Sequence, residues 1–299
     1  MTASATSLTT AFERMTAEVD ALFDILLASP ADTRARLYDA MRHAAVGGGK
    51  RLRPLLLVSV AEMLGVDRAA AVRAGGAVEA IHVYSLIHDD LPAMDDDDLR
   101  RGKPTVHKAF DEATAVLAGD SLHALAFEIL ADEQVHSDPA IRMELVRILA
   151  EASGPSGMAG GQMMDLEADK GGYDLPTVTR LQQLKTGALI GASVEMGAVL
   201  GRASDDMHVA LRGYARDIGL AFQIADDLID VEGDEEKAGK ALRKDGEQGK
   251  ETFVSLLGID RAREQAHILS EQAVRHLRSF GAEADILRAL ARFTVERDR

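Results

Sequence analysis

The sequence contains no cysteine and no tryptophan, and aromatic residues make up only 4% of its 299 positions. Without thiols there is neither a disulfide framework nor thiol chemistry, and nothing points to an oxidising compartment. So few rings exclude base stacking as a main mode of recognition. Basic charge is short as well, with 34 Lys and Arg against 49 Asp and Glu and a formal net charge of −15. That field repels duplex nucleic acid and anionic membranes, so an anionic substrate needs Lys, Arg or a metal gathered locally. The first residues, MTASATSLTTAFERM, lack the basic-then-apolar pattern of a secretory leader. Long apolar runs are missing too, since the greasiest stretch, Leu55 to Val60, meets Glu62 almost at once. The expectation is a cytoplasmic protein with no membrane span and no nucleic-acid partner.

What is present is helical periodicity. Apolar residues recur at three- and four-residue spacing, Ala and Leu are plentiful, and alternating β-branched patterns are absent. An all-α fold is expected, with helices near 8–28, 32–46, 52–64, 67–91, 111–132, 138–153, 156–168, 175–201, 204–232, 252–279 and 282–297. Gly47 to Gly49, Pro92, Pro104, Gly154-Pro155, Gly171-Gly172 and Gly233 punctuate them. No repeat of fixed period and no low-complexity linker divides the chain. The most polar interruption, Lys237 to Lys250, reads as a solvated loop unless a neighbouring motif recruits it.

Two acidic clusters carry the chemical signal. The apolar segment from Ala77 ends in His88-Asp89-Asp90-Leu91-Pro92-Ala93-Met94-Asp95-Asp96-Asp97-Asp98. Acids at a helix C-terminus oppose the macrodipole, so they call for a counterion. Asp226-Asp227-Leu228-Ile229-Asp230 lies inside a second apolar helix, where Asp226 and Asp230 share a face beside Gln223 and repel unless a cation intervenes. Acid-only clusters without His or Cys ligands suit Mg²⁺, a hard ion that keeps waters and is completed by substrate phosphates. Asp89 and Asp95 lie on different faces of an ideal helix, so Pro92 must break it and wrap Asp95 back.

Cations suited to phosphate stand nearby in sequence: Lys50, Arg51 and Arg53 after three glycines, Arg100 and Arg101 beyond the first cluster, then Lys185, Lys240 and Lys250. Arg offers a planar fork for bidentate contact and Lys a compact charge, and the glycines would let the backbone approach an anion. They match neither a P-loop nor a dinucleotide fingerprint. His82, two turns before Asp89, would present a donor to phosphate, or else is an ordinary core histidine.

Six pieces occur in the order of a known family: Gly-Gly-Lys-Arg-Leu-Arg-Pro at 48–54, the Asp89-Asp90-x4-Asp95 motif with Arg100-Arg101-Gly102, Gly-Gly-Gln-x-x-Asp at 160–165, Lys185-Thr186, Phe222-Gln223-x-x-Asp226-Asp227-x-x-Asp230, and Gly249-Lys250-x-Thr252. Along its whole length the chain resembles the trans-isoprenyl diphosphate synthases. The resemblance implies a single domain over 1–299, a bundle of about ten to thirteen helices around a central cavity. It implies head-to-tail condensation of isopentenyl diphosphate with dimethylallyl or geranyl diphosphate, and usually a homodimer. Asp89, Asp95 and Asp226 would hold Mg²⁺, three ions with substrate bound, supported by Asp90, Asp227 and Asp230. Arg100, Lys185 and Lys240 would contact the allylic diphosphate with Lys250 nearby; Lys50, Arg53, His82 and Arg101 would cradle isopentenyl diphosphate. Thr186 and Gln223 would face the forming cation. Ala238 departs from the family pattern just before Lys240. Tyr84 and Ser85, five and four residues before Asp89, resemble the chain-length position of farnesyl-making members, so a C15 product is expected, with geranyl or geranylgeranyl diphosphate as alternatives.

Two remote readings compete. A class I terpene cyclase shares the fold and the first motif, but its second motif typically mixes Asn, Ser or Thr, and Glu, unlike Asp226-Asp227-x-x-Asp230. A carboxylate-bridged di-iron bundle uses Glu-x-x-His pairs, and Glu79/His82, Glu133/His136 and Glu264/His267 have that spacing.

Overall fold

Helix starts are set by short polar side chains just ahead of apolar runs. Asp67 accepts from the N–H groups of Ala69 and Ala70, Asp111 from Thr114, Asp138 from Ala140 and Asp174 from Thr177. Each satisfies donors that a first helical turn leaves unpaired. The computed structural model describes residues 3–168, 171–232 and 250–296. In chain order the elements are α1 (Ala3–Leu26), α2 (Ala35–Ala45), α3 (Leu52–Met63), α4 (Arg68–Asp89), a small hairpin of β1 (Leu99–Arg100) and β2 (Lys103–Pro104), α5 (Val106–Ala109), α6 (Glu112–Ala131), α7 (Pro139–Ser153) and α8 (Met158–Ala168). Then follow α9 (Leu175–Gln182), a π-helical turn (Gln183–Gly187), α10 (Ala188–Leu200), α11 (Asp205–Glu232), α12 (Phe253–Leu257), α13 (Ile259–His276), a 3₁₀ turn (Ala282–Ala284) and α14 (Asp285–Glu296). The fold is all-α.

Burial separates central from outer helices. Pro54 to Ala61 of α3 is buried without a break, and α4 and α10 are buried on most sides, so they lack the one-sided pattern of surface helices. At the α3–α10 crossing a methyl group on Gly197 would stand 2.6 Å from the Leu57 carbonyl oxygen, which is why that position carries no side chain. α4 runs along α6 and α11 along α13. Behind the C-terminal half of α11, Ala221 and Ile224 join Val178, Phe253, Ala262 and Leu269 in a second, smaller core. That core fixes the face on which the second acidic motif rides.

The structure departs from the sequence reading in four places. The helix expected over 175–201 is interrupted by the π turn, and the one over 252–279 breaks at Gly258, whose φ of +80° favours glycine. The two-residue antiparallel pair Leu99–Pro104 and Arg100–Lys103 is too short to show a period of two in sequence. α6 is long and apolar enough, by length and composition, to cross a membrane, contrary to the expectation that no segment is. It carries Asp120 and Glu128, and it packs on α4 through buried Ala115, Ala118, Leu122 and Ala126.

Candidate active site

Pro92 prevents α4 from continuing, and the chain turns back on itself. The Asp95 N–H donates to the Asp89 carbonyl at 2.8 Å and the Asp96 N–H to that of Leu91 at 3.2 Å. Asp96 takes a left-handed φ of 49° to allow it. Asp89 and Asp95 thus meet despite their six-residue separation. The Asp89 carboxyl is pushed up to about 6, first by burial and then by the charges of Asp95 and Asp90, with Lys185 and Arg100 opposing. Asp90 faces away: it is buried, and the Arg100 guanidinium donates to it at 2.6 Å and lies 3.5 Å from Asp97. Burial raises its pKa as well, against the Arg100 bond. The hairpin that carries Arg100 is anchored where the Thr105 hydroxyl donates to the Asp97 carbonyl at 2.8 Å and Lys108 pairs with Asp98 at 2.7 Å.

The π turn presents Lys185 and Thr186 to this acidic end. The Thr186 hydroxyl donates to Gln223 Oε1 at 3.1 Å, and Gln223 Nε2 donates to Asp227 Oδ1 at 3.0 Å. The second Asp227 oxygen accepts the Phe253 N–H at 2.9 Å, so this buried carboxylate joins α11 to the start of α12. Asp226 and Asp230, one turn apart, are half-buried on the other face of α11. Asp226 lies within electrostatic reach of Arg53, as Lys185 does of Asp89. Through Lys185 and Thr186 both acidic segments are therefore held at one end of the bundle.

The basic residues divide in ways the sequence does not show. Arg53 is half-buried and its Nε has no hydrogen-bond partner among the described residues. Burial lowers its pKa, with Glu79 and Asp226 opposing. His82 is held well below its ordinary range, first by burial and then by Arg53, Arg101, Arg100 and Arg51, so it is neutral. The Arg101 guanidinium lies flat on Gly48 and Gly49, where an added Cβ at Gly49 would come within 2.6 Å of its central carbon. The glycines make room for Arg101, which corrects the reading that they let the backbone itself approach an anion. Lys50 is exposed, with its ammonium 5.1 Å from the centre of the Phe293 ring. Arg51, grouped with these cations in sequence, turns inward instead. It is fully buried against Glu79 at 2.7 Å and Asp20 at 2.6 Å, and it also donates to the Ala45 carbonyl. The Glu79 carboxylate is thereby taken up by a cation, which removes it from an iron-ligand pair with His82.

Tyr84 stands edge-on to His88 at 5.7 Å and to His123 at 4.9 Å, and His123 to Phe127 at 5.3 Å, a column of rings running from α4 into α6. The Ser85 hydroxyl donates to the His82 carbonyl of its own helix at 2.8 Å. Lys240 lies outside the described residues. The residue that sequence reasoning passed over is Asp165, quoted as the last letter of a motif but given no role. Its Oδ2 accepts from Lys185 at 2.8 Å and from Lys250 at 3.2 Å. Nothing in the local spacing announces a contact made across 20 and 85 positions.

Comparison with known proteins gives a consistent result. The polyprenyl synthetase family model matches residues 34–291. The chain is 43% identical over 267 residues to farnesyl diphosphate synthase of Geobacillus stearothermophilus, covering 88% of this chain and 89% of that one. The crystal structure of an FPP/GFPP synthase from Zymomonas mobilis superposes with a TM-score of 0.90 at 57% identity, over 97% of this chain and 99% of that one. A geranyltransferase from Helicobacter pylori, complexed with magnesium and isoprenyl diphosphate, superposes with a TM-score of 0.82 at 32% identity, over 99% of this chain and 97% of that one.

Proposed function

Because this chain belongs to the polyprenyl synthetase family, we propose that it is a magnesium-dependent prenyltransferase, one domain over residues 1–299, that joins isopentenyl diphosphate head to tail with dimethylallyl and geranyl diphosphate to give mainly farnesyl diphosphate. The observation that carries this reading is the gathering of under-compensated charge at one end of the bundle. Asp89, raised to about 6 by burial and then by the neighbouring charges of Asp95 and Asp90, shares this end with Arg53, whose buried Nε has no hydrogen-bond partner among the described residues. A buried acid with a raised pKa beside an unpartnered buried donor is the mark of a binding site.

Among the described residues no three acidic or histidine side chains form a ready-made cage. Asp89, Asp95 and Asp226 offer hard carboxylate oxygens, and Mg²⁺ takes much of its shell from water and phosphate, so these residues fit it. When bound, Mg²⁺ supplies Lewis-acid neutralisation of a departing diphosphate, worth several kcal/mol in general. Three ions are the expected complement with substrate present.

The chain's own residues then do the following work. Arg100, Lys185, Lys240 and Lys250 bind the allylic diphosphate and stabilise the charge that grows on it as the allylic C–O bond breaks. Arg53, Lys50, His82 and Arg101 orient isopentenyl diphosphate so that its double bond attacks the resulting cation, and neutral His82 offers one N–H donor. Thr186 and Gln223, fixed in orientation by Asp227, place oxygen dipoles towards the cation. The electron pair of the broken C–O bond stays with the diphosphate, which then takes the proton lost as the new double bond forms. Tyr84 and its ring column close the cavity floor, which limits product length. The FPP/GFPP naming of the Zymomonas relative favours a second reading in which longer product is also released. A second copy of this chain is expected on the outer face of α6, where Val116 and Leu117 are exposed.

Incubation with isopentenyl diphosphate and each allylic primer, with and without Mg²⁺, followed by chain-length analysis, tests the proposal. Magnesium-dependent C15 formation is expected. Hydrocarbon from farnesyl diphosphate alone would point to a cyclase instead.

A further inference from the structure

Two ammonium groups share a single oxygen, Oδ2 of Asp165, at 2.8 Å from Lys185 and 3.2 Å from Lys250. All three side chains are largely buried, at 14%, 28% and 12% exposure for Asp165, Lys185 and Lys250. The arrangement is built into the backbone as well as the side chains. Gly161, one turn before Asp165 on the same face of α8, sits so close to the π turn that a Cβ there would lie 2.2 Å from the Lys185 amide nitrogen. α8 and the π turn are thereby seated at one separation, and Asp165 is aimed at the lysine. Burial acts to raise the Asp165 pKa, but Lys185 and Lys250 outweigh it and hold the carboxyl below its usual range, so it is ionised. The Lys185 charge also acts on Asp89.

We propose that Asp165 is a positioning residue that holds the Lys185 and Lys250 ammonium groups side by side to receive one diphosphate. The proposal rests on the prenyl-transfer reading above and adds to it a residue that touches no substrate. A free lysine spreads its charge over many rotamers, and two neighbouring ammonium groups with no anion between them repel and diverge. Shared bonding to one oxygen keeps the two nitrogens no farther apart than the sum of those two distances. Ordering them in advance lowers the entropic cost of gripping the ligand. It does nothing for isopentenyl diphosphate, whose ligands in this reading lie just before and on α3, on α4 and in the hairpin turn.

Asp165→Asn keeps the shape and removes the charge. With the full-length chain and Mg²⁺, KM for geranyl diphosphate should rise about tenfold while KM for isopentenyl diphosphate stays within about twofold. The dissociation constant of a non-ionising geranyl thiodiphosphate, measured by calorimetry, should weaken in parallel, and Asp165→Glu should recover part of it. In a Lys185→Ala background the same substitution should add little, because one of the two cations is already gone. An unchanged KM for geranyl diphosphate in Asp165→Asn overturns the clamp while leaving the prenyl-transfer reading intact. Equal rises in both KM values with a fall in Tm overturn it too, as a purely structural salt bridge. A wild-type chain with no prenyl transfer overturns both.

Discussion

Arg51 and Arg53 stand two residues apart in one basic run, and the structure places them in different surroundings. The Arg51 side chain is fully buried, paired with Glu79, itself 3% exposed, and with Asp20 at 22% exposure. Its guanidinium also faces the Phe23 ring at 6.0 Å. Arg51→Met keeps much of the apolar volume but strands the Glu79 carboxylate without a counter-charge. Removing one partner of a buried pair costs about 3–5 kcal/mol. With an unfolding entropy near 2.1 cal/mol/K per residue, that corresponds to a fall in Tm of roughly 5–8 °C for a chain of this size. Pairing Arg51→Met with Glu79→Met removes both charges and should recover at least about half of the loss, because Asp20 can turn to water. Arg53→Met should instead leave Tm within about 2 °C and raise KM for isopentenyl diphosphate by roughly tenfold or more, as loss of a charged hydrogen bond does. Calorimetric melts and steady-state kinetics on the three variants decide the matter. If Arg51→Met melts with the wild type and binds isopentenyl diphosphate poorly, the division of labour is wrong.

Four further outcomes are expected. Tyr84→Ala removes the first ring of the column and should lengthen the product beyond C15 by chromatography; an unchanged chain length would remove the floor. Asp227→Ala frees Gln223 Nε2 and the Phe253 N–H, so kcat should drop by roughly 10²-fold with a smaller change in KM, measured under saturating primer. In metal-free protein the folded Asp89 carboxyl, at about 6, keeps a proton that the unfolded chain has lost by about pH 4, so folded protein binds more protons and stability falls as pH rises through that window. Asp89→Asn should flatten that slope and stabilise the metal-free form by about 1–3 kcal/mol at neutral pH, and a lowered Tm would contradict it. Leu117→Lys, at a position 55% exposed on α6, should leave Tm little changed but shift a dimer towards monomer in light scattering; a wild type already monomeric would refute that interface.

Helix content was legible because it rests on short-range physics. The three- and four-residue spacing of Ala and Leu, capping side chains such as Asp67 and Asp174, and the break at Pro92 all act within a few residues. The end of α4 before Pro92 followed from one rule, that a proline lacks the N–H a continuing helix needs and clashes with the carbonyl four residues back. Acid clusters without cysteine likewise pointed to hard-ion binding, an expectation that fits the family's magnesium-complexed relative.

What the chain order could not reveal is which way equivalent residues face. Arg51 and Arg53 look alike in sequence, and only the packing of α3 against α1 and α4 sends one to Glu79 and the other to the acidic end. The glycines at 48 and 49 read as an anion cradle until the Arg101 guanidinium is found lying on them. Asp165 reads as one more acid until two lysines, 20 and 85 positions away, are found on one of its oxygens. In each case the deciding term is burial and long-range charge pairing, whose strength depends on distance and solvent exclusion that no local pattern encodes.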